Sequence, residues 1–377
     1  MANIKLPRKE VEKQIKLTKD VEEKISLLGT PLEHLDEDEL ELEIFPNRPD
    51  LLSMQGWLRA FKAFLGKSLG LKKYKINKPE KEYKVKINPS VKSVRPYTAC
   101  AIVKNLKFDD EKIKEMIDLQ EKLHSTLGRN RKKFAIGVYP LEKIKLPIKY
   151  EARSPKDINF IPLEESREMN GIQILQKTPT GREYAHLLED CTKFPVFIDS
   201  NKNILSMPPI INSNDTGKIT ENTKEVFIEC SGFDFDILKK ALNIIITTLA
   251  DMGGNIYAME LEYDKKTTTP DLTPEKMKIS LESINKLLGL DLKERDLEKL
   301  LPKMGYDYKN KVVTIPAWRT DILHEVDIAE DIAIAYGYDK LIPEISKLAT
   351  LGQESKESKL KSKVAEALIG LGLIEIS

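Results

Sequence analysis

Apolar and polar positions change period along this chain in a way that predicts a mixed fold. Continuous apolar runs of strand length occur at YTACAIVKNL (97–106), FAIGVYPL (134–141) and KEVFIEC (224–230), and helical patterns over 110–127 and 235–252 are interleaved with them. Asp234 stands where a helix N-cap is expected. Upstream, Pro7 precedes a charged amphipathic stretch that predicts one helix over 8–28; a strand at 40–45 and a helix closed by Gly66 follow. Downstream, helices are expected over 281–290 and 294–304, then a small strand region and a helix rich in acids. The lysine-rich 67–82 and the polar, Pro-containing 264–274 read as linkers. These divisions give an α+β, multidomain chain with units at 1–90, 91–264 and 275–345. An amphipathic helix over 358–371 and the apolar GLIEIS then open a further unit at 346–377, which predicts that the chain is a fragment of a longer protein.

A length of 377 residues points to roughly two to four domains. Sixty-one basic and 60 acidic residues nearly cancel, so binding of nucleic acid by bulk charge is not indicated and any RNA contact has to be local. Cys100, Cys191 and Cys230 are widely spaced with no C-x-x-C pair, which predicts buried thiols in a reducing compartment. No signal-peptide or membrane-span pattern occurs, and a cytoplasmic protein is expected.

The densest chemistry lies in WRTDILHEVDIAEDIAIAYGY (318–338). Asp327, Glu330 and Asp331 fall at i, i+3 and i+4 of a helix, and Asp321 precedes its start. Such a set suits a divalent cation such as Mg²⁺. It also suits a solvated acidic face, and such faces are common. A second segment bears on the choice: residues 44–66 align without a gap on 315–337, matching Arg48 to Arg319, Asp50 to Asp321 and Gly66 to Gly337. The first copy has Gly56, Arg59 and Ala60 where the second has the three helix acids, so the folded element does not need them.

In 194–232, strand-like residues 197–199 turn at Ser200-Asn201 and return at 204–206 as a hairpin. Pro208-Pro209 then forces an ordered loop or edge over 206–213. That loop reads either as a rigid turn or as the lining of a site, with Glu229 and Ser231 at the end of the next strand. No Ser-His-Asp order or nucleophile elbow is present. His124, beside Arg129, Arg131, Lys132 and Lys133, marks the best local candidate for a phosphate or carboxylate contact. None of the four histidines has a zinc-type partner set.

Four stretches, NRPDLLSMQG (47–56), LQEKLH with RKKFAIGVYPL (119–124, 131–141), DSNKNILSMPPIIN (199–212) and RTDILHEVDIAEDIAIAYGYDK (319–340), resemble the beta subunit of phenylalanyl-tRNA synthetase in its archaeal and eukaryotic form. The resemblance implies a B1-like module over 1–90, a B3/B4-like editing domain over 91–264 and a B5-like, winged-helix-like module over 275–345, followed by the start of a catalytic-like module. It implies pairing with a catalytic alpha subunit as an α₂β₂ tetramer, with ATP bound at alpha and tRNA(Phe) as the nucleic-acid partner. It also implies an Mg²⁺ site at Asp321, Asp327, Glu330 and Asp331, and a pocket for hydrolysis of mischarged Tyr-tRNA(Phe) lined by Ser206, Asn212, Glu229 and Ser231; selecting tyrosine over phenylalanine needs a hydrogen-bond partner for the phenol, and Glu229 is the residue expected to supply it. Two other functions compete: a stand-alone editing hydrolase and a non-catalytic RNA-binding module. The acidic character of the helix that carries Glu325, Asp327, Glu330 and Asp331 argues against the latter.

Overall fold

The computed structural model describes residues 2–345 and 351–376, and the chain divides into two compact units, residues 1–338 and 339–377. The first unit is mixed α+β. Its centre is an 11-stranded sheet running, edge to edge, Ile211–Asn212, Ile204–Met207, Phe194–Ile198, Ile148–Arg153, Lys84–Ile87, Asn255–Glu262, Tyr97–Lys104, Val226–Gly232 and Phe134–Pro140. Ile76–Asn77 and Lys266–Thr269 pair with Asn255–Glu262 off this path.

The three apolar runs become the strands Tyr97–Lys104, Phe134–Pro140 and Val226–Gly232, paired in one antiparallel block. They read as unbroken apolar runs because both faces of the block are covered. Val226, Ile228 and Cys230 join the core that includes the helix Phe235–Asp251, whereas Phe227 joins a second core on the opposite face with Tyr139, Tyr150 and Phe197. Strand alternation therefore sends Glu229 and Ser231 to the second face, away from that helix. Asp234 caps the helix by accepting from the Asp236 and Ile237 amides.

The N-terminal region departs from expectation. Residues 8–28 are not one helix: a strand, Ala2–Pro7, pairs with Glu39–Ile44, and helices Arg8–Glu12 and Lys19–Leu27 follow separately. Thr18 adopts extended backbone at the second helix start, and Ile15 between the helices is buried. Both expected linkers are structural as well. Tyr74, in the first, donates from its hydroxyl to Asp251 at 2.8 Å. Thr269, in the second, bonds through its hydroxyl to the Cys100 backbone at 3.0 and 2.7 Å.

The 275–338 region has a three-stranded antiparallel sheet, Glu275–Lys278, Val312–Ile315 and Asp307–Lys309, with helices Leu281–Leu288, Glu294–Leu300 and Glu325–Tyr336. The second helix stops short of residue 304 because Pro302 cannot continue it, and a 3₁₀ turn Leu301–Met304 follows. One apolar core includes Ile4, Trp57, Ile245 and Ile332, so the first unit's N- and C-terminal parts share packing. In the second unit the helix Lys356–Gly370 forms with Ser355 as its cap. Residues 373–376 form no strand, since no described residue pairs with them, and Ser377 lies outside the described residues. Among the described residues no helix is long and apolar enough to cross a membrane.

Candidate functional site

The hairpin forms as read: Phe194–Ile198 and Ile204–Met207 pair around Asp199, whose Oδ1 accepts from the Asn203 amide at 2.8 Å. The chain then turns through a cis Pro208-Pro209 bond and returns as Ile211–Asn212, which sets Ser206 directly opposite Asn212. Register in the neighbouring block places Glu229 opposite Gly137. These elements enclose a cavity of about 450 Å³ whose wall includes Ser206, Asn212 and Glu229.

Tyr139 joins the three. Its hydroxyl donates to Ser206 Oγ at 2.7 Å and lies 3.3 Å from Glu229 Oε1 and 3.4 Å from Asn212 Oδ1. Gly137 makes this approach possible: a Cβ there would sit 2.1 Å from the Tyr139 hydroxyl oxygen and 2.7 Å from Glu229 Oε1. The Glu229 carboxyl is buried, and its Oε2 has no hydrogen-bond partner. Burial pushes its pKa up to about 8, although Arg95 and the Ser231 and Tyr139 hydroxyls act in the opposite direction. At neutral pH this carboxyl is therefore mostly protonated, able both to donate and to accept. Ser231 shares the face but lies outside the cavity wall; its Oγ accepts from Arg95 Nε at 3.3 Å.

His124 and Arg131 also line this cavity, from the other side. His124 Nε2 accepts from the Ile136 amide at 2.8 Å, and its Nδ1 lies 3.2 Å from Glu121 Oε1. An amide can only donate, so Nδ1 carries the proton and Nε2 is occupied. Burial lowers the His124 pKa and keeps the ring neutral. Arg131 Nη1 donates to the carbonyls of Pro209 and Ile210 at 3.2 and 2.9 Å, and Nη2 donates to Glu121 at 3.0 Å. The expected carboxylate contact of the basic run is thus internal, and it clamps the proline loop to the helix Asp110–Ser125.

The acidic segment is not a gathered metal site. Arg319 donates to Asp321 through Nε at 2.8 Å and Nη2 at 2.7 Å, and Nη2 also reaches Asp331 Oδ2 at 2.8 Å. The Tyr306 hydroxyl takes the same Asp331 oxygen. Burial works to raise the Asp321 pKa, but the Arg319 charge and hydrogen bonds hold it below the usual carboxylate value. Asp327 Oδ2 accepts from the Leu323 and His324 amides at 2.7 Å each, and Glu330 is exposed. Among the described residues no three His, Cys, Asp or Glu side chains gather as a metal-binding group. The donor set does not fit an ion held by all four carboxylates, because two of them already neutralise a guanidinium. Adjacent helical residues point about 100° apart, which sends Asp331 inward and leaves Glu330 outside.

Residues 90–252 match the B3/4 domain and residues 277–338 match the tRNA synthetase B5 domain. A crystal structure of an N-terminal fragment of the phenylalanyl-tRNA synthetase beta subunit from Pyrococcus horikoshii superposes with a TM-score of 0.84 at 38% identity, covering 89% of this chain and 99% of that one. The chain belongs to the phenylalanyl-tRNA synthetase beta-subunit family. Its relatives include the phenylalanine–tRNA ligase beta subunits of Archaeoglobus fulgidus, 39% identical over 94% of this chain, and Pyrococcus furiosus, 42% identical over 88%. The aligned region spans 64% and 60% of the length of those two relatives.

Of the four pocket residues expected from the family resemblance, the structure brings Ser206, Asn212 and Glu229 to one cavity and sets Ser231 behind it. Sequence reasoning missed Tyr139 and the clamp made by Arg131. The alternation of Gly137 and Tyr139 on one strand face was the available signal for the former.

Proposed function

We propose that this chain works as the N-terminal part of a phenylalanine–tRNA ligase beta subunit, with the cavity around Glu229 hydrolysing Tyr-tRNA(Phe). The observation that carries the reading is the buried Glu229 carboxyl with an unpaired Oε2 in the wall of a cavity of about 450 Å³. A tyrosine phenol satisfies that group, whereas a phenylalanine ring leaves it unpaired, at a cost of about 1–3 kcal/mol.

The reaction is attack of water on the aminoacyl ester carbonyl, breaking the bond to the ribose oxygen and releasing tyrosine and tRNA. A protein nucleophile is disfavoured by the hydrogen bonds in place. Ser206 Oγ is bound by the Tyr139 hydroxyl, and His124 Nε2 is occupied by an amide. The pocket's contribution is positioning of the ester and water by polar groups held in fixed geometry. In this reading the 91–264 region is the editing domain, an alpha subunit binds ATP and charges tRNA(Phe), and the two subunits assemble as α₂β₂. Mg²⁺ would be held by Asp327 and Glu330, the two acids that do not pair with Arg319, and would neutralise their charge.

The test is hydrolysis of Tyr-tRNA(Phe) against Phe-tRNA(Phe) by the 377-residue chain, with Glu229→Ala and Glu229→Gln alongside. Selective loss of the tyrosyl ester, lowered at least tenfold by Glu229→Ala, is expected. Equal hydrolysis of both esters, or clearance that Glu229→Ala leaves unchanged, removes the assignment.

A further inference from the structure

The duplicated segments meet in space, at a place the editing reaction does not use. Arg48 and Arg319, at matching positions of the two copies, are close enough for the Arg319 charge to oppose ionisation of Arg48. A cavity of about 400 Å³ is lined by both copies. Its wall carries Arg48, Arg59, Lys62, Lys67, Lys72 and Arg319, against the carboxylates of Asp50 and Asp251.

The internal ion pairs do not balance this charge. Asp50 pairs with Arg48, and Asp251 serves both Arg59 at 2.9 Å and Lys72 at 2.7 Å. Arg319 is compensated by Asp321 and Asp331. Even with those two carboxylates counted, two positive charges stay without a counter-charge. Lys62 lies among them: burial lowers its pKa first, Lys72 and Lys67 act the same way, and Asp251 only partly opposes them. Two guanidinium nitrogens, Arg59 Nη2 and Arg319 Nη1, are buried with no hydrogen-bond partner, on side chains only 9% and 2% exposed. Cations crowded into one recess repel unless an anion shares it.

We propose that this cavity binds a phosphate-class oxyanion, held by Arg48, Lys62 and Lys67, with Arg59 and Arg319 contributing charge from the wall. A phosphate-class anion with two or more negative charges, pyrophosphate included, neutralises the excess of two charges. Its tetrahedral oxygens also suit guanidinium forks and ammonium groups together. The comparison between copies is consistent with a role confined to this side, because Arg59 stands where the second copy has Glu330. The phosphate belongs either to a free small molecule or to an RNA backbone.

Calorimetric titration of the full chain with inorganic pyrophosphate at low ionic strength tests the proposal independently of the editing assignment. Saturable one-to-one binding is expected. It should weaken about tenfold in Lys62→Gln and in Lys67→Gln, the loss of one charge-assisted contact each. The distant Lys276→Gln should bind as the wild type does. Absence of saturable binding, or equal affinity in all four proteins, overturns the site. With binding established, a tRNA transcript that displaces pyrophosphate identifies an RNA backbone as the source. A transcript that leaves it bound identifies a free phosphate compound.

Discussion

Replacing Glu229 by Gln keeps the shape of the side chain and removes its titration, so the pair of proteins isolates one buried carboxyl. In the folded chain that group has a pKa of about 8, raised from 4.5 by burial. A carboxyl raised on folding keeps its proton while the unfolded chain releases it. The contribution is therefore fully favourable below about pH 4.5 and is lost as the pH rises to about 8. Each pH unit inside that window costs about 1.4 kcal/mol, and the whole window costs about 5 kcal/mol. Glu115, raised by burial to about 7, titrates in the same direction. It is present in both proteins and cancels in their difference. Urea unfolding followed by tryptophan and tyrosine fluorescence, at intervals from pH 4.5 to 9, gives that difference. The wild type should lose about 5 kcal/mol relative to Glu229→Gln across the range. Parallel stability curves would mean that Glu229 is ionised in the folded chain at neutral pH. The protonated carboxyl that meets the phenol would then be wrong, and phenol recognition would have to rest on a charged acceptor.

Two further outcomes follow from the acidic segment. Arg319→Met should destabilise the chain by about 3–5 kcal/mol, because Asp321 and Asp331 lose their shared partner inside the protein. The double variant Arg319→Met with Asp331→Leu should recover part of it, and thermal denaturation of both reads the difference. On the proposed reading, Asp327→Asn with Glu330→Gln should weaken Mg²⁺ retention by the chain assembled with an alpha subunit at least tenfold, measured by metal analysis after dialysis. Unchanged metal content would leave the acid set as a helix start and a solvated face.

The parts of the fold that were legible are those where local pattern and tertiary setting agree. The strand Val226–Gly232 and the helix Phe235–Asp251 carry apolar periodicity and a capping Asp234, and both formed within two residues of expectation. The 67–82 and 264–274 segments were misread because polar composition was taken for solvation. Hydroxyls tie both to the body of the unit, Tyr74 to Asp251 and Thr269 to the Cys100 backbone, and Leu71, Tyr74, Ile76 and Leu272 pack against its core. The break in the N-terminal helix was hidden because Ile15 fits helical spacing while its burial is decided by distant strands. The Pro-Pro loop carrying Ser206 and Asn212 and the strand end at Glu229 stood out in the residues, and the family resemblance chose a site over a rigid turn. The convergence of these residues depends on sheet register, and no local pattern encodes which strands become neighbours.

Spacing left the acid set open between a divalent cation and a solvated face. Residues at i, i+3 and i+4 share a broad helix face, but Glu330 and Asp331 straddle its edge, and the cation they were expected to need is supplied by the same segment. Arg319 reaches Asp321 and Asp331 together. The first copy carries the control: Arg48 makes the same bidentate pair with Asp50, at 2.9 Å for both bonds, and its chain turns with the same bond, Arg48 N to Phe45 O at 3.0 Å, as Arg319 N to Pro316 O at 3.0 Å. Both helices end at a glycine with positive φ, 75° at Gly66 and 107° at Gly337. The Arg-x-Asp pair is therefore the repeated structural device, and the helix that follows is free to vary in charge. Ala60 in place of Asp331 leaves Arg48 one carboxylate instead of two, and Arg59 in place of Glu330 adds a cation to the cavity wall. One folded element thus yields an acidic exposed edge in its second copy and a cationic recess in its first.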